Sequence, residues 1–274
     1  MLRQRHLVRP FSSAVEHPEP VETIVGQAST KDQWWSYCLP GPCCFCLAPC
    51  ESLRSWCQRC FDGLPWNVPS CESCAEPLAR GYSHGNGTAC CRRCFEGAAP
   101  FQVARVPFRY ETEIAILVQH FKFDASPRAG TLLVELMLAG LRCEASELPE
   151  ALIAVPLHPL RARQRGFDQG RWIARRLASR LGVPLVTALR TRNTPTQREL
   201  DRQRRHENLA DAFRVDEPLP RSVALVDDVM TTGATLAALA HACREAGARH
   251  IEAWALARTP FLDVSPGLQH LSSR

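Results

Sequence analysis

Long apolar runs are missing from this sequence. The longest, Thr131 to Leu141, is broken by Glu135, whereas a membrane-spanning helix needs about 20 predominantly apolar residues. No transmembrane segment is therefore expected. An apolar segment is also lacking behind the arginines of Met1 to Phe11, so the start of the chain does not read as a secretory signal. The expectation is a flexible tail on a soluble, cytoplasmic protein. Lysine is nearly absent, with Lys31 and Lys122 alone among 33 basic residues. A Gly-x-x-x-x-Gly-Lys loop is absent as well, which excludes the nucleotide-binding class that holds its phosphates with that lysine.

Cysteine, by contrast, is abundant. Twelve of the 14 cysteines crowd between Cys38 and Cys94. Without an export signal, such thiols read as metal ligands sooner than as a disulfide framework, with redox-active or merely reduced thiols as the plainer alternative. Four Cys-x-x-Cys pairs can be written: Cys43/Cys46, Cys57/Cys60, Cys71/Cys74 and Cys91/Cys94. Taken in order, the first four would hold one tetrahedral Zn²⁺ and the last four another, resembling a double zinc ribbon. Spacing leaves interleaved pairing, or a single site, equally open. Cys38, Cys44, Cys50 and Cys90 have no clear partner, His84 reads as a loop residue, and Cys143 and Cys243 fall on apolar stripes typical of a core.

A net charge of +5 is too modest to argue for nucleic acid, but its distribution is uneven. Thirteen arginines and only three acids lie between Arg161 and Arg205, a formal charge of +10. Solvated helix faces would explain this; so would a phosphate site, because planar guanidinium groups match phosphate oxygens.

The chain divides into zones. Residues 1–36 are polar and without periodicity, a flexible lead-in. Residues 37–97 carry the cysteine pairs among Gly, Pro and Ser, with too few large aliphatics for a core of their own. From 101 to 260, short apolar runs alternate with amphipathic stretches, and 261–274 is a tail. Within the third zone, strands are expected at Gln102–Tyr110, Ala151–Leu157, Pro184–Leu189, Ser222–Val226 and His250–Ala257. Helices are expected at Thr112–Phe123, Arg128–Cys143, Asp168–Leu181 and Ala234–Ala246, the last ended by Gly247. Alternation of this kind specifies an α/β fold with a mostly parallel sheet flanked by helices.

The segment Val223-Ala-Leu-Val-Asp-Asp-Val-Met-Thr-Thr-Gly-Ala-Thr-Leu236 is the most informative. A hydrophobic strand leads to Asp227 and Asp228, a hydroxyl-rich turn follows at Thr231-Thr232-Gly233, and a helix opens near Ala234. Amides at a helix N-terminus carry partial positive charge and bind anions. Gly233 would let a phosphate approach the backbone, and Thr231, Thr232 and Thr235 add hydroxyl donors. Carboxylates at the C-terminal end of a strand lie where open α/β sheets bind ligands, placed to accept from a diol or to help place a metal. A phosphate beside a diol describes a ribose 5-phosphate. Receiver-domain or Walker B strands also end in acids, but neither requires the threonine turn.

This segment resembles the signature of type I phosphoribosyltransferases that binds 5-phosphoribosyl-1-pyrophosphate (PRPP). The wider chain resembles the ComF family of that group: Ser55-Trp-Cys-Gln-Arg-Cys60, Leu64-Pro-Trp66, Val155-Pro-Leu-His-Pro159, Arg165-Gly-Phe-Asp-Gln169, Thr194-Pro-Thr-Gln197, Arg205-His-Glu-Asn208, Ala212-Phe213 and Leu256-Ala-Arg-Thr259 occur in order. The resemblance implies a type I phosphoribosyltransferase fold behind a small zinc-ribbon module. It implies that Asp227 and Asp228 are catalytic residues that hold the ribose 2′ and 3′ hydroxyls, and that Thr231, Thr232, Gly233, Ala234 and Thr235 cradle the 5-phosphate. Arg163 and Arg165 would face the pyrophosphate, and Gln197, Arg198 and Arg205 would sit on a mobile flap. Mg²⁺ would accompany PRPP. Two positions depart from the family pattern. Asp168 stands where the family has Asn, and Phe121-Lys-Phe-Asp-Ala125 lacks the glycines of the family's Lys-Tyr-Gly-Gly, so Lys122 is either its counterpart or a solvated surface lysine.

Two functions follow from the resemblance. One is phosphoribosyl transfer from PRPP to a nucleophile the sequence does not identify. The other is a non-catalytic protein that uses the fold and zinc ribbons to hold single-stranded DNA or competence proteins, since ComF-type proteins are associated with DNA uptake. Oligomeric state, acceptor and pathway are not legible.

Overall fold

A computed structural model describes residues 41–50, 54–79, 89–97, 101–141, 147–157, 163, 166–191 and 212–260. Six strands form one parallel sheet. β7 (Ser222–Met230) and β8 (His250–Arg258) are the two long central strands. β3 (Ala151–Ala154) and then β4 (Leu185–Val186) extend the sheet on the β7 side, whereas β1 (Val103–Arg105) and β2 (Phe108–Arg109) both pair with β8. A separate antiparallel pair joins β5 (Leu189–Arg190) to β6 (Phe213–Arg214). The helices of the domain are α3 (Thr112–Phe123), α4 (Pro127–Gly140), α5 (Gln169–Leu181) and α6 (Ala234–Glu245). Two one-turn helices, α1 (Gln58–Asp62) and α2 (Arg92–Glu96), lie in the cysteine-rich region.

Period-two alternation along β7 and β8 sorts the core into two layers. Ala224, Val226, Trp254 and Leu256 face the layer built by α3, α4 and α5, with Ile114, Val118, Leu133, Ile173 and Leu177. Val223, Leu225, Ile251, Ala253 and Ala255 face α6, through Leu236, Leu239 and Cys243. Both faces are covered, so the central strands read as near-continuous apolar runs.

The helix expected at Arg128–Cys143 is Pro127–Gly140, and the strand expected at Pro184–Leu189 is only Leu185–Val186, with Leu189 in the separate β5–β6 pair. Three other boundaries also differ from those expected. The edge segment Gln102–Tyr110 is two short strands, because Val106 and Pro107 interrupt it and Pro107 has no N–H to offer the ladder; there Asn67 takes over, donating its amide to Pro107 O (2.8 Å) and its side-chain nitrogen to Val106 O (3.2 Å) and Ala75 O (2.9 Å). The strand at Ala151 stops at Ala154, before Pro156. β7 does not end at its acids but runs on to Met230, because its partner β8 continues alongside it, with Val229 opposite Ala257 and Met230 opposite Arg258.

The cysteine-rich region is not a separate bead. Trp56, Phe61 and Leu64 are buried in the same layer as α3 and α4, and Ala75 is buried in the other. An aromatic chain runs from Trp56 to Phe61 (5.6 Å between centroids), Trp66 (4.9 Å) and Phe108 (4.7 Å). Trp56, Phe61 and Phe108 are buried, and such large side chains contribute about 1.5–3 kcal/mol each by leaving water. Among the described residues, no helix is long and apolar enough to cross a membrane.

Candidate functional site

Two four-cysteine clusters come together in chain order, Cys43/Cys46/Cys57/Cys60 and Cys71/Cys74/Cys91/Cys94, each with its sulfurs within 4.8 Å of one another. This resolves the pairing that spacing left open: it is sequential, not interleaved. Cys46 and Cys57 sulfurs are 3.7 Å apart and those of Cys74 and Cys91 3.6 Å apart. Tetrahedral zinc with ~2.3 Å Zn–S bonds separates its sulfurs by about 3.8 Å, while a disulfide would need ~2.05 Å. The donor set therefore fits two structural zinc ions. Electrostatics divide each cluster: hydrogen bonds with neighbouring thiols push Cys60, Cys74 and Cys94 up, while Cys43 and Cys71 are held down. Burial opposes ionisation of Cys43, but the backbone amides of Cys46, Cys57 and Phe45 outweigh it and bring this thiol down to about 6. The Cys74 and Cys94 thiols donate to Cys71 and hold it far below the ordinary thiol range. Cys50 is buried beside the first cluster, and Cys90 donates to Cys91 O beside the second. Cys243 is fully buried in the core; Cys38, His84 and Cys143 lie outside the described residues.

The second constellation is on β7. Asp227 and Asp228 are both partly covered, and the Asp228 amide donates to Asp227 Oδ1 at 2.8 Å. Burial, then the neighbouring Asp228 charge, pushes the Asp227 carboxyl up to about 7; the Asp228 amide and Lys122 pull the other way without winning. Lys122 reaches across from the last turn of α3 to Asp228, 2.9 Å away, with its side chain only 16% exposed. It is thus an internal partner of the acid pair, not a solvated surface lysine, despite the missing glycines.

Beyond Met230 the chain turns through Thr231 and Thr232 into α6. Gly233 is the N-cap, in the left-handed region with φ +74°, and a Cβ there would lie 3.3 Å from Met230 Cε. A side chain would be strained at this φ whatever space it had. The Ala234 amide donates to Thr232 Oγ1 at 3.3 Å, and the Ala237 amide to Gly233 O at 2.8 Å, which starts the helix. A hydroxyl-bearing turn thus opens a 12-residue helix three residues beyond an acid pair.

A third acid belongs to this end of the sheet. Asp168 caps α5, accepting from the Arg171 amide at 2.9 Å, and its other oxygen accepts from the Leu157 amide at 3.3 Å. It therefore ties the segment after β3 to the start of α5. The resemblance marked Asp168 only as a departure; the chemical signal for its role was an Asp immediately before a helix pattern. Arg163 is exposed. Arg165, Gln197, Arg198 and Arg205 lie outside the described residues. Of the arginine-rich stretch, Arg171, Arg175, Arg176 and Arg180 form the exposed face of α5, with Arg176 3.4 Å above the Trp172 ring.

One residue escaped sequence reasoning altogether. Arg258, quoted only as part of Leu256-Ala-Arg-Thr259, is fully buried, and its guanidinium spans the cysteine-rich region and the turn after β7. An arginine closing a nine-residue apolar strand was the available signal, because buried arginines occur almost only where they are paired.

Comparison with known proteins agrees with this architecture. Residues 168–261 match the family model described as the phosphoribosyl transferase domain. The chain is 31% identical over 230 residues to DNA utilization protein YhgH of Salmonella typhimurium, covering 81% of this chain and 98% of the relative. It is 32% identical over 218 residues to competence protein F of Haemophilus influenzae (76% and 91%), and 26% identical over 156 residues to competence protein ComFC of Streptococcus pneumoniae (56% and 67%). With a phosphoribosyltransferase domain on a parallel sheet, two four-cysteine clusters ahead of it, and two relatives above 30% identity matched over more than nine-tenths of their length, the chain belongs to the ComF family.

Proposed function

We propose that the chain binds PRPP with Mg²⁺ at the end of β7 and transfers its phosphoribosyl group to a nucleophile, releasing pyrophosphate. The observation that carries this reading is the juxtaposition of Asp227, Asp228 and the partly buried Lys122 with the threonine turn that opens α6. Carboxylates accept hydrogen bonds from the vicinal ribose hydroxyls. Thr231, Thr232, Gly233, Ala234 and Thr235 meet the 5-phosphate with amides, hydroxyls and the helix dipole. This reading assigns Arg163 and Arg165 to the pyrophosphate, and Gln197, Arg198 and Arg205 to a flap over the substrate that would exclude water. Mg²⁺, when bound, neutralises charge on the departing pyrophosphate. The protein's own share is positioning and charge complementarity. In the same reading, residues 37–97 form a double zinc ribbon that completes the core, residues 101–260 carry the chemistry, and the protein works in the cytoplasm, where thiols stay reduced.

Calorimetric titration with PRPP and Mg²⁺ tests the assignment. Wild type should bind, and the double variant Asp227→Asn, Asp228→Asn should lose most of the affinity. Equal binding by both proteins would overturn the role of the acids.

The exposed arginines of α5, together with relatives named for DNA utilization and competence, favour a second reading in which the protein also holds single-stranded DNA. Backbone neutralisation by arginines releases counterions, so affinity should fall steeply with salt. A flat salt response removes this reading.

A further inference from the structure

Arg258 is the last residue of β8, with Met230 opposite it on β7 and Arg109 opposite it on β2. Its side chain is fully buried. Nε donates to Cys74 O at 3.2 Å, and Nη2 meets Glu76 Oε2 at 2.7 Å. Nη1 donates to Met230 O at 3.0 Å, to Thr231 O and to Thr259 O at 2.7 Å. Two of these acceptors, Cys74 and Glu76, lie in the knuckle of the second cysteine cluster. The knuckle is closed by the Cys71 amide on Glu76 O (2.8 Å) and the Ala75 amide on Cys71 O (2.7 Å). Two others, the carbonyls of Met230 and Thr231, lead into the turn that opens α6. A planar fork with five donors can fix several carbonyls at once, as a lysine cannot.

We propose that Arg258 is a positioning residue that couples occupancy of the second zinc site to the shape of the Thr231–Thr235 turn. Resting on the reading of that turn as the 5-phosphate site, the coupling makes phosphate binding depend on the second cysteine cluster and not on the first. Zinc at Cys71, Cys74, Cys91 and Cys94 holds the knuckle, and the knuckle holds Cys74 O and Glu76. These hold the guanidinium, which orients the peptide units of Met230 and Thr231 and therefore the amides that follow them. Without the metal, the knuckle relaxes and Arg258 keeps its cation but loses its fixed frame. Coupling of this kind is reciprocal, so a ligand in the turn retains zinc in the second site.

The test compares full-length wild type with Cys94→Ser, which weakens the second site without touching an Arg258 acceptor, and with Cys60→Ser, which weakens the first. Zinc content is counted in each. Amide hydrogen exchange of a peptide covering the turn should quicken about tenfold in Cys94→Ser and stay within about twofold of wild type in Cys60→Ser, the range of ordinary coupling energies. Arg258→Lys should quicken exchange in the turn while keeping both zinc ions; if that variant fails to fold, Glu76→Gln replaces it. Peptides from β3 and α5 report global stability and should not change. Similar exchange in the turn for both cysteine variants, or none in either, overturns the coupling. The second arm adds PRPP with Mg²⁺ and follows zinc transfer to a chromogenic chelator: one of the two ions should leave about tenfold more slowly in wild type and not in Arg258→Lys. A response in the exchange arm without PRPP binding in calorimetry keeps the coupling and removes the ligand assignment instead.

Discussion

At the scale of the residue, Asp227 carries the most chemistry. Its carboxyl is pushed up from an ordinary 3.8 to about 7 by burial and by Asp228. The folded state thus holds a proton that the unfolded state releases, and the contribution to stability falls as pH rises from about 4 through about 7. Asp227→Asn removes that burden. The variant should be more stable than wild type at pH 8, by on the order of 2 kcal/mol, and no more stable at pH 3.5; urea midpoints at the two pH values check this. A diol is best received by the carboxylate, so PRPP affinity of the wild type should rise from pH 6 to pH 8 and that of Asp227→Asn should not, as calorimetry across that range would read. A second residue-scale expectation concerns Gly233. With φ at +74°, alanine there should cost about 1 kcal/mol of stability and weaken PRPP binding at least tenfold, because the turn must relax around it. Unchanged affinity for Gly233→Ala would mean that the phosphate binds elsewhere.

At the scale of the element, helices set where the site residues stand. α5 begins at Asp168, whose two oxygens serve the Arg171 and Leu157 amides. Asp168→Ala should lower stability by about 1 kcal/mol, the usual cost of a lost cap, whereas Asp168→Asn keeps the cap acceptor but loses the bond from the Leu157 amide, and should fall between wild type and the alanine variant in thermal melts. α3 carries Lys122 to Asp228 only because α4 and α5 press it into place. The tightest point of that packing is Gly130 on α4, where a Cβ would come within 2.5 Å of Phe121 Cε2 and 2.7 Å of Trp172 Cη2. Gly130→Ala must push α3 and α5 apart, costing ~1–3 kcal/mol as other overpacked cores do. Its PRPP affinity should drop with it, since Lys122 moves with α3; a variant that melts like wild type would show that the three helices have slack.

At the scale of the whole molecule, the cysteine-rich region and the sheet share their core. Phe61 and Leu64 pack in the layer of α3 and α4, and Asn67 bonds both to the knuckle at Ala75 and to the break between β1 and β2. Removing both zinc ions should therefore unfold the protein as one unit, whereas weakening either site alone leaves the shared core standing, because thiolate ligation supplies folding free energy. Tryptophan fluorescence and far-ultraviolet circular dichroism should follow the same curve as a chelator is titrated. Two separated transitions would mean that the zinc ribbons stand apart from the domain.

What was legible without coordinates was local or repetitive. The 3.6-residue period placed α3, α5 and α6 almost to the residue, since one face of each is buried, whereas apolar runs marked β8 and the start of β7, whose two faces are both covered. The Asp-Asp and Thr-Thr-Gly-Ala-Thr run lies in one continuous stretch, so its chemistry is contiguous in the chain. The cysteine pairs announced zinc, because two thiolates three residues apart suffice to make a knuckle. Tertiary structure alone decided how knuckles combine, and it brought Lys122 to Asp228, 106 positions further on, and Arg258 to Cys74 and Glu76, 184 and 182 positions away. No period or spacing encodes such meetings: they arise when sheet and helices close over a shared core and a long cationic side chain must find its acceptors inside it.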